Sequence, residues 1–388
     1  MLVLRLENNR VTVVKADGRE SRVARAPLDD DQRTLLGFLW SCLCDGGHER
    51  QHPAGQPWFE YLGRRLLQVL PTDTIRDLYN NGGERLRVLL EIDVTDEYPN
   101  AKALADAPWE LHRIALDDES RSAIGTSPAH AFSRLVRVDA RKWLPPTVDT
   151  QLRVLFIKSR VGAELGAGNI EARLGAPGIA CTTWSPAQVA GVLDGSTGRA
   201  DGVDGKFELA IVLAHSKDGK LELDTDVSLT GEELGRVLEG RCKAAMLLAC
   251  SSAPLAPALL EAGLEGVVAM RYEISDAALV DFVAAAVPRL VAGDALDAAV
   301  QHGRNRIDRK DTSRDAGGPA LYVRVKTPIE FKLAAAATAL AQQSTASAAT
   351  EPPKEAVATA TPAPIPAQPV VVPRGGQLLF EILAERNR

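Results

Sequence analysis

Aromatic residues are scarce, 5% of 388 positions, so a row of stacking platforms for single-stranded nucleic acid is not expected. An excess of basic charge is also missing: 45 Lys and Arg stand against 51 Asp and Glu, a net −6, without the footprint of a direct nucleic-acid binder. No apolar run reaches the roughly 18 residues that a membrane-spanning helix needs. The opening MLVLRLENNR breaks its apolar stretch with charged and polar residues where a secretion signal would continue it. A cytoplasmic protein with no membrane contact is therefore expected. Cysteine is limited to five irregularly spaced residues, too few for a disulfide framework, which leaves free thiols and hence a candidate nucleophile. Internal repeats of 20–50 residues are absent, excluding solenoids and propellers.

What is present is enough apolar residue, 45%, to build a large core, in a length that suits two to three domains. Alternation at Leu2-Val3-Leu4-Arg5-Leu6 and Val11-Thr12-Val13-Val14, around Asn8-Asn9, predicts a β-hairpin, with a third strand over 21–26. Helices are predicted over 35–44 and 58–70. Near residue 85 the rhythm changes. Short runs rich in branched residues recur at 86–92, 152–157, 209–214, 244–249, 266–270 and 321–325, with helical patterns such as 231–238 and 277–290 between them. This alternation predicts an α/β fold, a mainly parallel sheet covered by helices on both faces. The last run, coming after two consecutive helices, is read as an edge strand of either direction.

The tail departs from this pattern. Residues 351–373 hold seven prolines, favouring an extended linker over packed structure. The expected organisation is an N-terminal strand and helix region over 1–84 and a core over 85–326. An Ala-rich helix over 327–343, a Pro/Ala-rich disordered linker over 344–375 and a short amphipathic segment over 376–388 follow, the last carrying Leu378 to Leu383.

Two of the apolar runs end in reactive side chains. Phe207 to Ala214 leads directly into His215, and Lys243 to Ala249 leads into Cys250. The segment between them supplies one helix, opened by Thr230 with Glu233 three residues on, a capping-box pattern. Two parallel strands joined by a crossover helix end at the same sheet edge, where open α/β sheets place their sites. His215 and Cys250 are therefore predicted neighbours, as catalysis by a Cys–His pair requires. Taken alone, a cysteine at a strand end is usually a small buried hydrophobe, and a histidine there a hydrogen-bonded structural residue. The matched pair favours chemistry.

These residues sit in a wider pattern that resembles the CHAT family of caspase-like cysteine proteases, relatives of separase and caspases. The resemblance covers roughly residues 1–326. "YLGRRLLQVL", "RLRVLLEID" and Pro108-Trp109-Glu110-Leu111 come in the family's order. "LAIVLAHS" resembles its histidine strand, "AAMLLACSSA" its cysteine strand and "GPALYVR" its closing strand. The resemblance implies a caspase-like cysteine endopeptidase without metal or cofactor, acting on a specific protein substrate and activated by a protein partner, in bacterial defence or signalling. It implies His215 as general base, Cys250 as nucleophile, and the backbone N–H groups of Ser216 and Cys250 as the oxyanion hole. It places substrate contacts at Arg271, Ser251 and Asp276, with the Asp276 carboxylate suited to a basic side chain. The other reading, which is favoured, is that Ser275-Asp276 caps the helix starting at Ala277.

One position departs from the family. Glycine usually follows the histidine, and here Ser216 does; a positive φ at that position would strain serine. A catalytically silent CHAT fold acting as a regulatory adaptor is therefore the alternative, a recruitment module tethered through its Pro-rich tail is a third, and an active chain is expected to rest until a partner shifts its oxyanion loop. Cys42, Cys44, His48 and His52 hold four soft-metal ligands, but their spacing is unlike a zinc knuckle, so no metal is assigned. The glycines from 162 to 168 lack the Gly-Lys-Ser/Thr ending of a phosphate loop. Trp109 and Glu110 are read as structural.

Overall fold

The computed structural model describes residues 1–7, 10–15, 20–22, 86–93, 109–111, 130–138, 151–160, 166–196, 206–308 and 315–331. The expected helices over 35–44 and 58–70, the cysteine–histidine cluster over 42–52, and the tail beyond residue 331 lie outside the described residues.

Fourteen strands are described. They are β1 (Leu2–Glu7), β2 (Arg10–Lys15), β3 (Glu20–Arg22), β4 (Leu86–Asp93), β5 (His130–Leu135), β6 (Leu152–Lys158) and β7 (Ile179–Trp184). Then follow β8 (Phe207–Leu213), β9 (His215–Lys217), β10 (Lys220–Asp224), β11 (Val227–Leu229), β12 (Cys242–Leu248), β13 (Gly266–Met270) and β14 (Pro319–Val323). Six described helices are α1 (Ala167–Leu174), α2 (Pro186–Asp194), α3 (Gly231–Leu238), α4 (Ala256–Glu261), α5 (Asp276–Val291) and α6 (Leu296–Asp308).

Eleven strands form one sheet in the order β3-β2-β1-β4-β5-β14-β13-β12-β8-β6-β7. It has two parallel stretches. β1, β4, β5 and β14 run together, as do β13, β12, β8, β6 and β7; the two meet antiparallel between β13 and β14. The fold class is the expected α/β, with a mainly parallel sheet. The N-terminal hairpin joins it through β1, which pairs in parallel with β4.

Alternate side chains of the strands explain why both faces are covered. Val154 and Phe156 of β6 face α1, α5 and α6, packing with Ile170, Phe282 and Val300. Leu155 and Ile157 face the other way, toward Val189, Leu234 and Leu259 of α2, α3 and α4. Strands buried on both faces read as unbroken apolar runs, which is why β6, β8 and β12 were legible. α3 and α4 approach closely because Gly235 carries no side chain: a Cβ there would lie 3.0 Å from that of Ala262.

The final strand corrects the expectation. β14 is internal, antiparallel to β13 and parallel to β5, and not an edge. The apolar character of its Ala320, Leu321 and Val323, all fully buried, fits that central place. The chain also stays packed past 326. Ile329 and Phe331 are buried in the same core as α6, and 327–331 is not helical.

Candidate active site

Register fixes the centre of the site. Leu213 of β8 is paired with Leu248 of β12, and the Ala214 N–H donates to the Leu248 carbonyl at 3.4 Å. Both chains leave the sheet at one level, so His215 and Cys250, each two residues past the pair, stand side by side at the carboxyl edge. His215 is exposed and Cys250 half-buried, so both reach the surface. Among the described residues, no hydrogen bond joins the imidazole to the thiol.

Beyond His215 the chain does not go straight to the crossover helix. β9, β10 and β11 form a small antiparallel sheet, which the sequence pattern did not predict. Asp218 and Gly219 both have positive φ, 52° and 73°, the geometry of a two-residue primed turn. In such a hairpin the flanking pair, Lys217 with Lys220, is hydrogen-bonded and bonded pairs alternate. Ser216, opposite Leu221, therefore turns its N–H away from β10, on the open side of β9. The hairpin is tied down at its root: buried Ser159 donates its hydroxyl to the carbonyls of Glu222 and Leu223, both at 3.0 Å. Ser216 itself sits in an extended strand, and the positive φ that would strain a serine is not found there.

The strained serine is instead Ser251, directly after Cys250, with φ 53°. This left-handed residue turns the chain sharply out of β12, leaving Ser251 exposed. Ser252 then turns inward and is fully buried. Its hydroxyl donates to the Leu247 carbonyl at 3.3 Å and accepts from the Met270 N–H at 3.0 Å. The turn carrying Cys250 is thereby pinned to the ends of β12 and β13. Sequence reasoning passed over Ser252, although a second serine after a strand-end cysteine is a usable signal for such a pin.

Across from the thiol runs the loop between β13 and α5. The Ile274 backbone N–H stands near enough to the Cys250 sulfur to favour its thiolate. Burial raises the pKa of the thiol, the charges of Glu273 and Asp276 push it the same way, and the Ile274 N–H pulls against them. Cys242 is a contrast: fully buried in β12, its thiol is pushed far up by desolvation and belongs to the core. Cys181 lies on β7, two strands beyond β8.

The predicted substrate residues separate. Ser275 caps α5, its hydroxyl accepting from the Ala278 N–H at 3.3 Å, and Asp276 is the first helical residue, exposed beside Cys250. Ser251 is exposed at the crevice. Arg271 is not: it is 7% exposed, with its guanidinium held by Glu110 at 3.2 Å, which makes it an internal anchor of the loop. Glu110 also receives two hydrogen bonds from Arg134, at 2.8 and 2.7 Å. Trp109 and Glu110 are buried, as their structural reading required. A cavity of about 510 Å³, lined by Glu91, Leu135, Arg137, Arg324 and Lys326, lies at the opposite sheet edge, where β4, β5 and β14 end. Among the described residues, no group of three or more His, Cys, Asp and Glu could hold a metal ion, and no helix is long and apolar enough to cross a membrane.

Residues 205–360 match the model of the CHAT domain. The match contains both His215 and Cys250. Solved structures with a similar course include the Arg-specific cysteine proteinase gingipain R, at 10% identity and a TM-score of 0.41, over 77% of this chain and 74% of that one. The complex of Porphyromonas gingivalis RgpB pro- and mature domains aligns at 9% identity and TM-score 0.41, over 75% and 76%. The Saccharomyces cerevisiae separase–securin complex aligns at 10% and 0.37, over 78% of this chain but only 23% of that one. No curated protein sequence matches this chain.

Proposed function

We propose that this CHAT-domain chain is a caspase-like cysteine endopeptidase that cuts a specific protein, with His215 and Cys250 as its dyad. The observation that supports this reading most directly is the register of β8 and β12, which ends both strands level with His215 and Cys250 each two residues past the last pair. In the first step His215 takes the Cys250 proton and the sulfur attacks the scissile carbonyl carbon. The carbonyl electrons move onto oxygen, where the outward N–H of Ser216 and the N–H of Cys250 stabilise the charge. Collapse expels the amine, protonated by the imidazolium, and leaves a thioester that water hydrolyses with His215 again as base. No step calls for a metal or cofactor. Asp276 and Glu273, exposed beside the thiol, suit a basic side chain next to the cut, and Ser251 lines the same edge. A protein partner completes the site by bringing imidazole and thiol into contact.

The rival reading is a silent CHAT fold that serves as an adaptor. It is favoured by the absence, among the described residues, of a His215–Cys250 hydrogen bond, together with a raised thiol pKa. The two are separated by profiling cleavage of a diverse peptide library by the purified chain beside Cys250→Ala. Cleavage by the first and not the second establishes the endopeptidase. Identical blank profiles, repeated with candidate partner proteins added, favour the adaptor.

A further inference from the structure

The loop that joins β13 to α5 brings the Ile274 N–H to the Cys250 sulfur, and it is fastened at both ends by residues remote in sequence. At its start, the Arg271 N–H donates to the Gly318 carbonyl at 2.9 Å, and the Arg271 side chain is held by Glu110. At its end, Ser275 gives both its backbone N–H, at 3.2 Å, and its hydroxyl, at 2.7 Å, to one oxygen of Asp315. In between, the Ile274 side chain fills the space above Gly318, where an added Cβ would lie 2.4 Å from its Cγ2. The Gly318 N–H returns to the Asp315 carbonyl at 3.0 Å, which closes the turn around Ile274.

Asp315 is buried, at 6% exposure. A carboxylate withdrawn from water is costly unless its oxygens are well hydrogen-bonded. The cap of α5 does not need it, because the Ser275 hydroxyl already accepts from the helix N–H. What Asp315 adds is a fixed position for Ser275, the residue next to the N–H that meets the sulfur.

We propose that Asp315 is a positioning residue for the nucleophile: through Ser275 it holds the loop so that the Ile274 N–H faces the Cys250 sulfur and Asp276 stands beside it. This rests on Cys250 being the nucleophile, yet it is tested on the thiol itself, without substrate. The charges acting on that thiol are Glu273 and Asp276 on the loop, and His215 is the titratable group at the neighbouring strand end; the variants leave all three in place.

The experiment follows the rate of Cys250 alkylation by iodoacetamide against pH in the full chain, read by mass spectrometry of the Cys250 peptide. Wild type is compared with Asp315→Asn, Ser275→Ala and the double variant, with thermal melts beside them. Alkylation reports the thiolate fraction, so loss of one aligned N–H donor is expected to slow it about fivefold near neutral pH and move the midpoint upward. The double variant should be no slower than the slower single one, since both break one chain of contacts. A purely structural clasp would lower the melting temperature and leave the alkylation profile where it was, which overturns the proposal. Should Asp315→Asn not fold, Ser275→Ala decides: loss of its cap bond to the Ala278 N–H lowers the melting temperature, while loss of its bond to Asp315 moves the alkylation profile. A shifted profile in a chain that cleaves no peptide even with candidate partner proteins added would sink the endopeptidase and leave the positioning role standing.

Discussion

Leu213 and Leu248 are in register on adjacent parallel strands, and from that pairing the chain reaches His215 on one side and Cys250 on the other in two residues each. The last pair stands at the spacing of neighbouring strands, about 4.8 Å, so the two chains leave adjacent points of one sheet edge before they reach His215 and Cys250. Neither side chain fills the core, since His215 is exposed and Cys250 half-buried. Replacing either by Ala should therefore cost at least about a thousandfold in peptide turnover. The melting temperature should move by no more than a few degrees. Turnover retained in either variant would remove that residue from the dyad.

Ser251 sits at φ 53°, where a residue with a Cβ is strained by about 1–2 kcal/mol, while Ser216 does not. Ser251→Gly is expected to hold stability and turnover near wild type, because relief of strain is offset by the greater freedom of Gly when unfolded. Ser251→Val, stiffer at the backbone, should lower the melting temperature and displace Cys250, reducing turnover at least tenfold. By the same reasoning Ser216→Gly should bring no gain in activity, since it relieves nothing and loosens β9. A fluorogenic peptide assay on the three variants at equal concentration checks this, and a faster Ser216→Gly enzyme would contradict it.

Much of this architecture was legible because fully buried parallel strands write themselves as apolar runs: β6, β8, β12 and β13 could be read directly, and with them the strand ends that lead to His215 and Cys250. β5 was hidden because its inward positions include Ser133 and Arg134, whose burial depends on partners elsewhere in the chain. β7 was hidden for the opposite reason. As an edge strand with Cys181, Thr182 and Thr183 exposed, it carries no apolar signal. The hairpin of β9 and β10 was hidden because β9 is three residues long, exposed at both ends and without an apolar side chain. β14 was misplaced at an edge because strand order is a property of the whole sheet, and a run of five residues says nothing about its neighbours. The resemblance put Arg271 among the substrate contacts; the distant Glu110, 161 positions away, makes it internal.

Ser252 supports the nucleophile turn from below. Ser252→Ala removes an acceptor from the Met270 N–H, which is buried, and a donor to the Leu247 carbonyl. Leaving a buried N–H without its partner costs about 1–3 kcal/mol. Stability in urea should fall by that amount, and turnover should fall further than the stability loss explains, because the turn that aims Cys250 is released. Ser252→Thr, which keeps the hydroxyl, should recover part of the activity if its extra methyl is accommodated. An Ala variant with unchanged kcat would show that β12 and β13 alone hold the turn.

Glu110 gives the fold a defined acid limit. Burial alone would raise its pKa, but the doubly bonded Arg134 guanidinium, with Arg271 and Arg304 close by, outweighs that and holds it at about 2, against an ordinary 4.5. A carboxyl whose pKa is lower folded than unfolded stabilises the fold fully above the unfolded value, and loses that contribution as pH falls toward the folded one. The window is therefore pH 4.5 down to 2, and the contribution on the order of 3 kcal/mol. Glu110→Gln keeps the shape and removes the charge, leaving Arg134 and Arg271 buried without their carboxylate. Breaking a buried pair in this way costs about 3–5 kcal/mol, so at neutral pH the variant should be far less stable than wild type. Below pH 4.5 the gap should narrow, because wild type loses through protonation what the variant never had. Urea midpoints measured from pH 7 to 2.5 test both halves of this. Parallel curves for the two proteins across the acid range would mean that the charge of Glu110 is not what secures β5 and the loop after β13.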